Sequence, residues 1–400
     1  MPQSPMQFVS AISNEQHTGE ALDEVLGEVR EQLDGEADFV MTFASYHHRR
    51  DFDLIADAIE RDLNPGVALG ATAAAVLGSG QELEKSAGLT MLAAKMPGAW
   101  MHPFRYDDLP RIAEDDDPTG MREAIVGEGR EGEPAAMFLL ADPFSTPMVK
   151  LIPAINAALP GVPLIGGMAS GGAAAGDNRL LLGGEVTSEG AVGVAIGGDL
   201  RVDCTVSQGC RPVGQPWVIT KAKHNLIQSI GGRAVLDVIQ ETAEQADPED
   251  QELLQHGLFV GRVINEYKDR FGRGDFLIRN IVGADQETGY IAVSDLVKVG
   301  ETIQFHVRDR RTAEQDLRLL LQSQKLHGEP AGALLCTCNG RGLNIFEEPN
   351  VESSIIRGEL GESLPLAGFF AAGEIGPVGG SNFLHGFTAS LAVFRPQEQE

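Results

Sequence analysis

Three stretches of the chain fit one frame, and that repetition constrains the fold more than any other feature. "GVALGATAAA" at 66–75, "PLIGGMASG" at 163–171 and "PLAGFFAAG" at 365–373 align Gly70 with Gly166 and Gly368, and Ala73 with Ala169 and Ala371. A matching segment follows each: "AGLTMLAA" from Ala87, "GAVGVAIGG" from Gly190 and "HGFTASLAV" from His385. Gly70 to Gly88 spans 18 residues, as does Gly368 to Gly386, whereas the middle copy takes 24 and so carries an insertion. Each frame is preceded by a short apolar run: "ADFVMTFAS", "AAMFLLADPF" or "GALLCTCNG". Such runs read as strands buried on both faces.

Helical spacing follows the first two runs. Phe52, Ile55, Ile59 and Leu63 share one side, as do Met148, Ile152, Ile155 and Leu159, and both stretches end in a Pro-Gly stop. Ser145 is placed to cap the second helix, with Pro147 in its first turn. The third copy offers only a short helical candidate at "VESSIIRGELG". Each copy therefore reads strand, helix, strand, Gly/Ala turn, strand. The first crossover is expected to be right-handed, and the second and third strands to pair as a long hairpin. Units this small cannot bury themselves alone, so the copies must pack together. The fold class is α/β: repeated βαββ units forming mixed sheets with helices packed on them, in two related domains.

The segment from about 211 to 330 differs from the repeats. "WVITKAKHNLIQSIGGRAVLDVIQETAEQ" reads as a strand, a Gly-Gly turn and a helix from near Arg233. "FLIRNIVGADQETGYIAVSD" and "GETIQFHVRD" add three strands, and "ADPEDQELLQH" reads as a polar connecting loop. The expected division is an N-terminal extension over 1–36, a first domain over 37–210 and a second over 211–400.

Charge excludes several partners. The chain carries 58 Asp plus Glu against 31 Lys plus Arg, a formal net charge of −27. Such a field repels phosphate backbones and anionic lipid, so neither nucleic acid nor a membrane is expected as a partner. The N-terminus lacks a basic start and an apolar core, and four cysteines form no disulfide framework, which points to the cytoplasm. Phosphate loops, HExxH and GxSxG are missing, which weighs toward binding over catalysis.

"GALLCTCNGRGLNIF", "LPLAGFFAAGEIGPVGGSNFLHGFTASLAVF" and the strand-rich "DFLIRNIVGADQETGYIAVSDLVKVGETIQFHVRD" resemble the C-terminal half of the FIST family (F-box and intracellular signal transduction proteins). Residues from about Ala37 to Gly209 resemble that family's N-terminal domain, with "PLIGGMASGG" as the clearest mark. The resemblance implies a sensory module that binds a small ligand, with amino acids as suggested ligands. It also implies a downstream signalling protein as partner, and it leaves the cofactor unknown. Some members attach F-box or signalling domains. With some 36 residues before the first expected strand, this chain reads as a stand-alone unit.

The residues themselves nominate a site. In wound α/β sheets, ligands sit beyond the carboxyl ends of strands, where glycine lets backbone approach. Glu374 follows a buried strand between Gly373 and Gly376, placed either to receive a ligand's ammonium group or to close a turn. Asn382 and His385 return near it if the two flanking strands pair. "CTCNGRG" puts Cys336 and Cys338 on one face, and Arg341 at the strand's end, where it either pairs with Glu374 or grips a ligand carboxylate. Asp142 occupies the matching strand end of the second copy, and His47, His48 and Arg49 that of the first, where a solvated loop competes with a binding role. The expected ligand-binding set is thus Arg341, Cys338, Glu374, Asn382, His385 and Asp142, with no metal. One alternative is a thiol-dependent enzyme with Cys338 as nucleophile and His385 as base. Another is a structural or scaffold protein whose glycine-rich turns merely pack.

Overall fold

A computed structural model of the chain describes residues 6–111, 118–130, 132–272 and 274–397. It divides into two compact units. The first comprises Met1–Val206, Leu317–Leu384 and Thr388–Glu400; the second comprises Ser207–Asp316 with His385–Phe387.

The first unit contains the repeat three times, and the repeat is larger than the sequence frame. Copy one runs β1 (Gln7–Ser13), α1 (Thr18–Gln32), β2 (Phe39–Ser45), α2 (Phe52–Leu63), β3 (Val67–Ala73), β4 (Val76–Gly78), β5 (Gln81–Leu83) and β6 (Leu89–Lys95). Copy two runs β7 (Ala99–Arg105), α3 (Pro118–Val126), β8 (Ala136–Ala141), α4 (Met148–Ala158), β9 (Leu164–Met168), β10 (Leu180–Leu182), β11 (Glu185–Thr187) and β12 (Ala191–Gly198). Copy three opens with β13 (Leu200–Gln208), and after it the chain builds the second unit.

The second unit contains β14 (Cys210–Lys223), β15 (Leu226–Ile230), β16 (Arg233–Ala234), α5 (Val235–Gln245), α6 (Pro248–His256), β17 (Phe259–Val263), β18 (Phe276–Asp285), β19 (Tyr290–Val293) and β20 (Thr302–Arg308). Copy three then resumes with α7 (Arg310–Gln324), β21 (Gly332–Cys338), α8 (Val351–Leu360), β22 (Leu366–Ala371), β23 (Glu374–Val378), β24 (Ser381–His385) and β25 (Thr388–Pro396).

Two expectations are corrected here. Residues 7–32 are no extension: β1 pairs with β6 from Gln7↔Lys95 to Ser13↔Leu89, and α1 buries Leu22, Val25 and Val29 with α2. The residues of 211–400 do not form one compact unit either, because the third copy of the repeat joins the first unit.

Pairing within a copy also differs from the expected hairpin. The central strand takes the parallel strand on one side and the last strand on the other, as in β3–β2–β6, β9–β8–β12 and β22–β21–β25. The Gly/Ala turn leads instead into a short hairpin that leaves its own sheet. β10 joins β3, β23 joins β9 and β4 joins β22, so each copy completes the sheet of another in a closed cycle. Three six-stranded mixed sheets result.

The repeated glycines allow these sheets to close. Gly70, Gly166 and Gly368 sit opposite Thr42, Leu139 and Leu335 on the central strands. A Cβ on Gly166 or Gly368 would lie 1.9 or 1.8 Å from the partner carbonyl oxygen, and one on Gly70 would lie 2.6 Å from it. Gly166 also has φ +148°, open to glycine and strained for other residues. The copies meet at Ser170, whose hydroxyl accepts from Ala74 N at 2.8 Å and donates to Phe370 O.

The inner faces of the three sheets share one core that includes Phe43, Phe138, Leu334, Phe369 and Phe394. Phe43 stacks on Phe369 with centroids 4.5 Å apart. Each such fully buried side chain contributes about 1.5–3 kcal/mol. Helices cover the outer faces, α1 and α2 on one sheet, α3 and α4 on the next, α7 and α8 on the third. The predicted helical faces are buried as read, at Phe52, Ile55, Ile59 and Leu63 and at Met148, Ile152, Ile155 and Leu159.

The second unit is an antiparallel barrel. Its order is β14-β20-β17-β18-β19-β15, and β14 also pairs with β15, which closes the ring and leaves β16 appended. Ile219, Ile227, Val260, Ile291, Ile303 and Phe305 fill it. "ADPEDQELLQH" forms α6 instead of a loop, because Asp247 accepts from Asp250 N at 2.8 Å as N-cap and Pro248 enters the first turn. No helix among the described residues is long and apolar enough to cross a membrane.

Candidate functional site

Ser45, Asp142 and Cys338 stand at the same position, three residues beyond the central-strand partners of the repeated glycines. Each engages its own outgoing turn. Ser45 Oγ accepts from Gly88 N at 3.0 Å and bonds His47 Nδ1 at 3.0 Å. Asp142 Oδ2 accepts from Phe144 N (3.1 Å), Ser145 N (2.9 Å) and Ser145 Oγ (2.7 Å), while its Oδ1 accepts from Asn178 Nδ2 at 2.9 Å. Cys338 Sγ accepts from Gly340 N at 3.5 Å. Ser145 consequently bonds Asp142 and Gly190 N, and does not cap α4. His48 is also buried, with Nδ1 bonded to Thr18 Oγ1 at 3.0 Å, and burial lowers its pKa.

Around Cys338 the structure gathers a buried polar cluster. Arg341 is fully buried and does not emerge at a surface: Nε and Nη2 meet Glu352 Oε1 at 2.9 and 2.8 Å, and Glu352 Oε2 accepts from Thr337 Oγ1 at 2.6 Å. Glu374 is near enough to bias Arg341 electrostatically, yet Glu352 is the carboxylate in ion-pair contact. Glu374 Oε2 accepts from Thr388 N (3.1 Å) and Thr388 Oγ1 (2.8 Å), and the Cys338 thiol is also directed at this carboxyl. Burial pushes Glu374 up to about 8, against those hydrogen bonds and the Arg341 charge.

Glu82 and Glu352 are members of this cluster that sequence reasoning missed. Glu82 lies on the hairpin of copy one and docks on α8 of copy three. Its N–H donates to Asn350 Oδ1 at 2.6 Å and its Oε1 accepts from Ser353 N at 2.8 Å, so a carboxylate some 270 residues away satisfies a first-turn N–H of α8. Burial, then the Glu352 charge, raises Glu82 to about 7. Both glutamates sit in polar-looking stretches, "QELEK" and "NVESS", with no motif to mark them as buried.

Asn382 fastens the copy-three hairpin to copy two. Its Nδ2 donates to Asn156 Oδ1 (2.8 Å) and Val162 O (2.9 Å), and its Oδ1 accepts from Leu164 N (2.8 Å), which engages every polar atom of the amide. His385, at the end of β24, is buried and belongs to the second compact unit. The structure therefore brings Cys338, Arg341 and Glu374 together, and it places Asn382 and Asp142 in internal networks of their own.

The second unit holds a cleft of about 510 Å³ between β14 and the α5–α6 corner. Val213, Val238 and Trp217 contribute its apolar lining. Trp217 rests its benzo edge on Gly231, whose φ of +55° turns the chain there, with Cε3 2.7 Å from where a Cβ would stand. The indole N–H is buried and, among the described residues, has no hydrogen-bond partner. Glu241, Asp247 and Asp250 add carboxylates to the lining. Trp217 stood in the sequence as an isolated aromatic in "PVGQPW", and that was the available signal.

The FIST N domain matches residues 38–233 and the FIST C domain matches residues 235–377. Uncharacterized proteins from two strains of Mycobacterium tuberculosis are each 39% identical over 394 residues, covering 97% of this chain and all of theirs. An uncharacterized protein of Mycobacterium bovis is 39% identical over 380 residues, covering 94% of this chain and 95% of its own. The junction of the two domain matches, near Arg233, falls inside the second compact unit.

Proposed function

The chain belongs to the FIST family, and from that premise we propose that it is a sensory protein whose small-molecule ligand is bound by the cleft of its second unit. The family is associated with signal transduction and sensing. The observation that carries the reading is the cleft itself: about 510 Å³, within the range of small-molecule sites, with Val213, Val238 and Trp217 lining it among polar residues. Binding there would be passed to a downstream signalling protein, with the cytoplasm as its setting.

The cluster around Cys338 fits this role less well, because its groups are buried and pair mostly with one another, although Glu82 Oε2 and Glu374 Oε1 have no hydrogen-bond partner among the described residues. It also fits thiol chemistry poorly. A nucleophilic cysteine needs an accessible thiolate, whereas the Cys338 thiol is buried and directed at a carboxyl that holds its own proton near neutrality.

A thermal-shift screen of amino acids, amines and organic acids on the full chain tests the proposal. Hits should raise the melting temperature of the wild type and lose most of that shift in Trp217→Phe. Hits indifferent to Trp217→Phe but abolished by Cys338→Ser would move the site to the buried cluster. Rapid stoichiometric iodoacetamide labelling of Cys338 below neutral pH would favour the thiol enzyme instead.

A further inference from the structure

We propose that β5 is a proton-dependent latch: a protonated Glu82 holds this edge strand of copy one on α8 of copy three, and loss of the proton to solvent lets the strand lift. The inference concerns a different part of the chain from the cleft and stands apart from that reading. Three features of the contact lead to it.

The first is how little else holds β5. It is three residues long, lies at the edge of its sheet and pairs with β4 from Val76↔Leu83 to Gly78↔Gln81. Short edge elements of this kind open locally before a fold unfolds as a whole. Its grip on copy three comes from two acids. Glu82 donates its N–H to Asn350 Oδ1 and accepts from Ser353 N through Oε1. Glu84, just past the strand, accepts from Leu343 N through both oxygens at 3.0 and 3.2 Å.

The second is that α8 relies on this grip. Its N-cap residue Asn350 makes no side-chain cap within the helix, because its amide oxygen is taken by Glu82 N. The first-turn N–H of Ser353 is met by Glu82 in its place. When β5 lifts, that end of α8 is left uncapped. The same turn carries Glu352, the ion-pair partner of the buried Arg341.

The third is the setting of the Glu82 carboxyl. The residue is 5% exposed, and its Oε2 has no hydrogen-bond partner among the described residues. From α8, the Glu352 charge bears on it, while Glu352 itself is engaged by Arg341 and Thr337. Arg357 of the same helix is directed to Ser79 O at 2.9 Å and to Glu362 O. From its own hairpin, Glu84 adds a second acid, and Lys85 is exposed. Among the described residues no Lys, Arg or His is in ion-pair contact with Glu82. A buried carboxylate without a cation is costly, and a neighbouring carboxylate adds repulsion. A proton on Oε2 removes both penalties and leaves Oε1 free to accept from Ser353 N. That N–H and the positive end of α8 favour the charged form, but burial and Glu352 outweigh them.

The direction follows. The latched carboxyl keeps its proton up to about 7, whereas a lifted, hydrated one releases it near 4.5. The latch is therefore firmest below about 4.5, weakens as pH rises through 7 and levels off above about 8. Within that window the open fraction grows by up to about tenfold per pH unit.

Hydrogen exchange on the full chain between pH 5 and 8 tests this, with each rate divided by that of an unstructured peptide at the same pH. Segments 81–84 and 351–356 should lose on the order of tenfold protection or more between pH 5 and 7. β8, in the middle of its sheet, should lose less. Glu82→Gln keeps an acceptor for Ser353 N but cannot ionise, so both segments should hold the wild type's pH 5 protection throughout. Glu84→Gln should retain most of the pH dependence. Melting curves at pH 5 that match the wild type certify both variants. A flat wild-type profile overturns the latch, as does a fall in β8 as large as that in the two segments. Dependence that survives in Glu82→Gln belongs to another carboxyl and overturns it too. Should Glu82→Gln not fold, the wild-type profiles of the three segments decide alone.

Discussion

The two units place their buried polar groups in different settings. In the first, Arg341, Glu352, Glu82, Asn382 and Asp142 meet partners across copies or across a turn, while Glu82 Oε2 is left without one among the described residues. Three copies share one core there, and any strand end that opened toward solvent would break contacts in a neighbouring copy. In the second, a six-stranded barrel packs its own interior and leaves the outer corner of β14 and α5 free to form a cleft. Rigidity from repetition and room for a ligand are thus assigned to different parts of the chain.

Glycine in the repeat frame gives the largest test of that contrast. Gly368→Ala places a methyl group 1.8 Å from the Leu335 carbonyl oxygen, with both backbones held in a parallel pair. We expect a loss of roughly 5 kcal/mol, at the exceptional end for one substitution. Denaturant titration should show Gly166→Ala nearly as harmful and Gly70→Ala milder, in the order of the 1.8, 1.9 and 2.6 Å approaches. Equal, small losses at all three would mean the copies do not depend on the close approach.

Glu352→Gln comes next. It leaves the fully buried Arg341 guanidinium without its carboxylate, which costs about 3–5 kcal/mol. Replacing both partners, as in Arg341→Met with Glu352→Leu, should recover most of the loss, because a well-packed apolar pair avoids the desolvation of both charges. A double variant as unstable as the single would show that Thr337 and the rest of the network matter more than the charge.

How much of this was legible follows the range of the interactions. The frame of Gly70, Gly166 and Gly368, the buried strands and the helical faces are local patterns, and they appear in the fold where the sequence puts them. The exchange of hairpins between copies was hidden, because β4 pairs as well with β22 as it would with any strand whose edge is free. β1 and α1 were hidden because they precede the glycine frame on which the copies were aligned. Arg341 was read as near Glu374, and it is, but its ion-pair partner Glu352 looks like a surface residue of a short helix. α6 has too few apolar residues to show a period, and only Asp247-Pro248 marks its start. The cleft draws on β14, α5 and α6, and no motif spans them.

Titration separates the units by sign. Burial raises Glu374 to about 8 and Glu82 to about 7, so in the first unit the folded state holds protons that the unfolded chain releases near 4.5. Their contribution is fully present below the usual carboxylate range, is lost as pH rises, and levels off above about 8. In the second unit, burial lowers His306 to about 4. Its contribution is present above about 6.5 and is lost as pH falls toward 4. Each group alters stability by up to about 1.4 kcal/mol per pH unit within its window. The two windows overlap between about 4.5 and 6.5, where two glutamates outweigh one histidine, so the stability read from melting curves should fall as pH rises from about 4.5 to 8 and then level off. Glu374→Gln should make that fall shallower, and His306→Gln should make it steeper below about pH 6.5. A fall unchanged in Glu374→Gln would show that the buried carboxyl is not what titrates.

The smallest effect uses the same chemical change as the second test, in the other unit. Glu241→Gln removes a carboxylate from the Arg233 pair, yet both side chains are open to water and the charge left behind is hydrated at once. The unfolding midpoint should stay within measurement error of the wild type, as for most exposed pairs. Its consequence should appear in binding and not in stability, since the lost charge belongs to the cleft wall and not to the core. The comparison with Glu352→Gln then isolates burial as the variable, with residue type and substitution held fixed. A clear loss of stability in Glu241→Gln would mean that the cleft wall supports the barrel, and the division of labour between the two units would have to be redrawn.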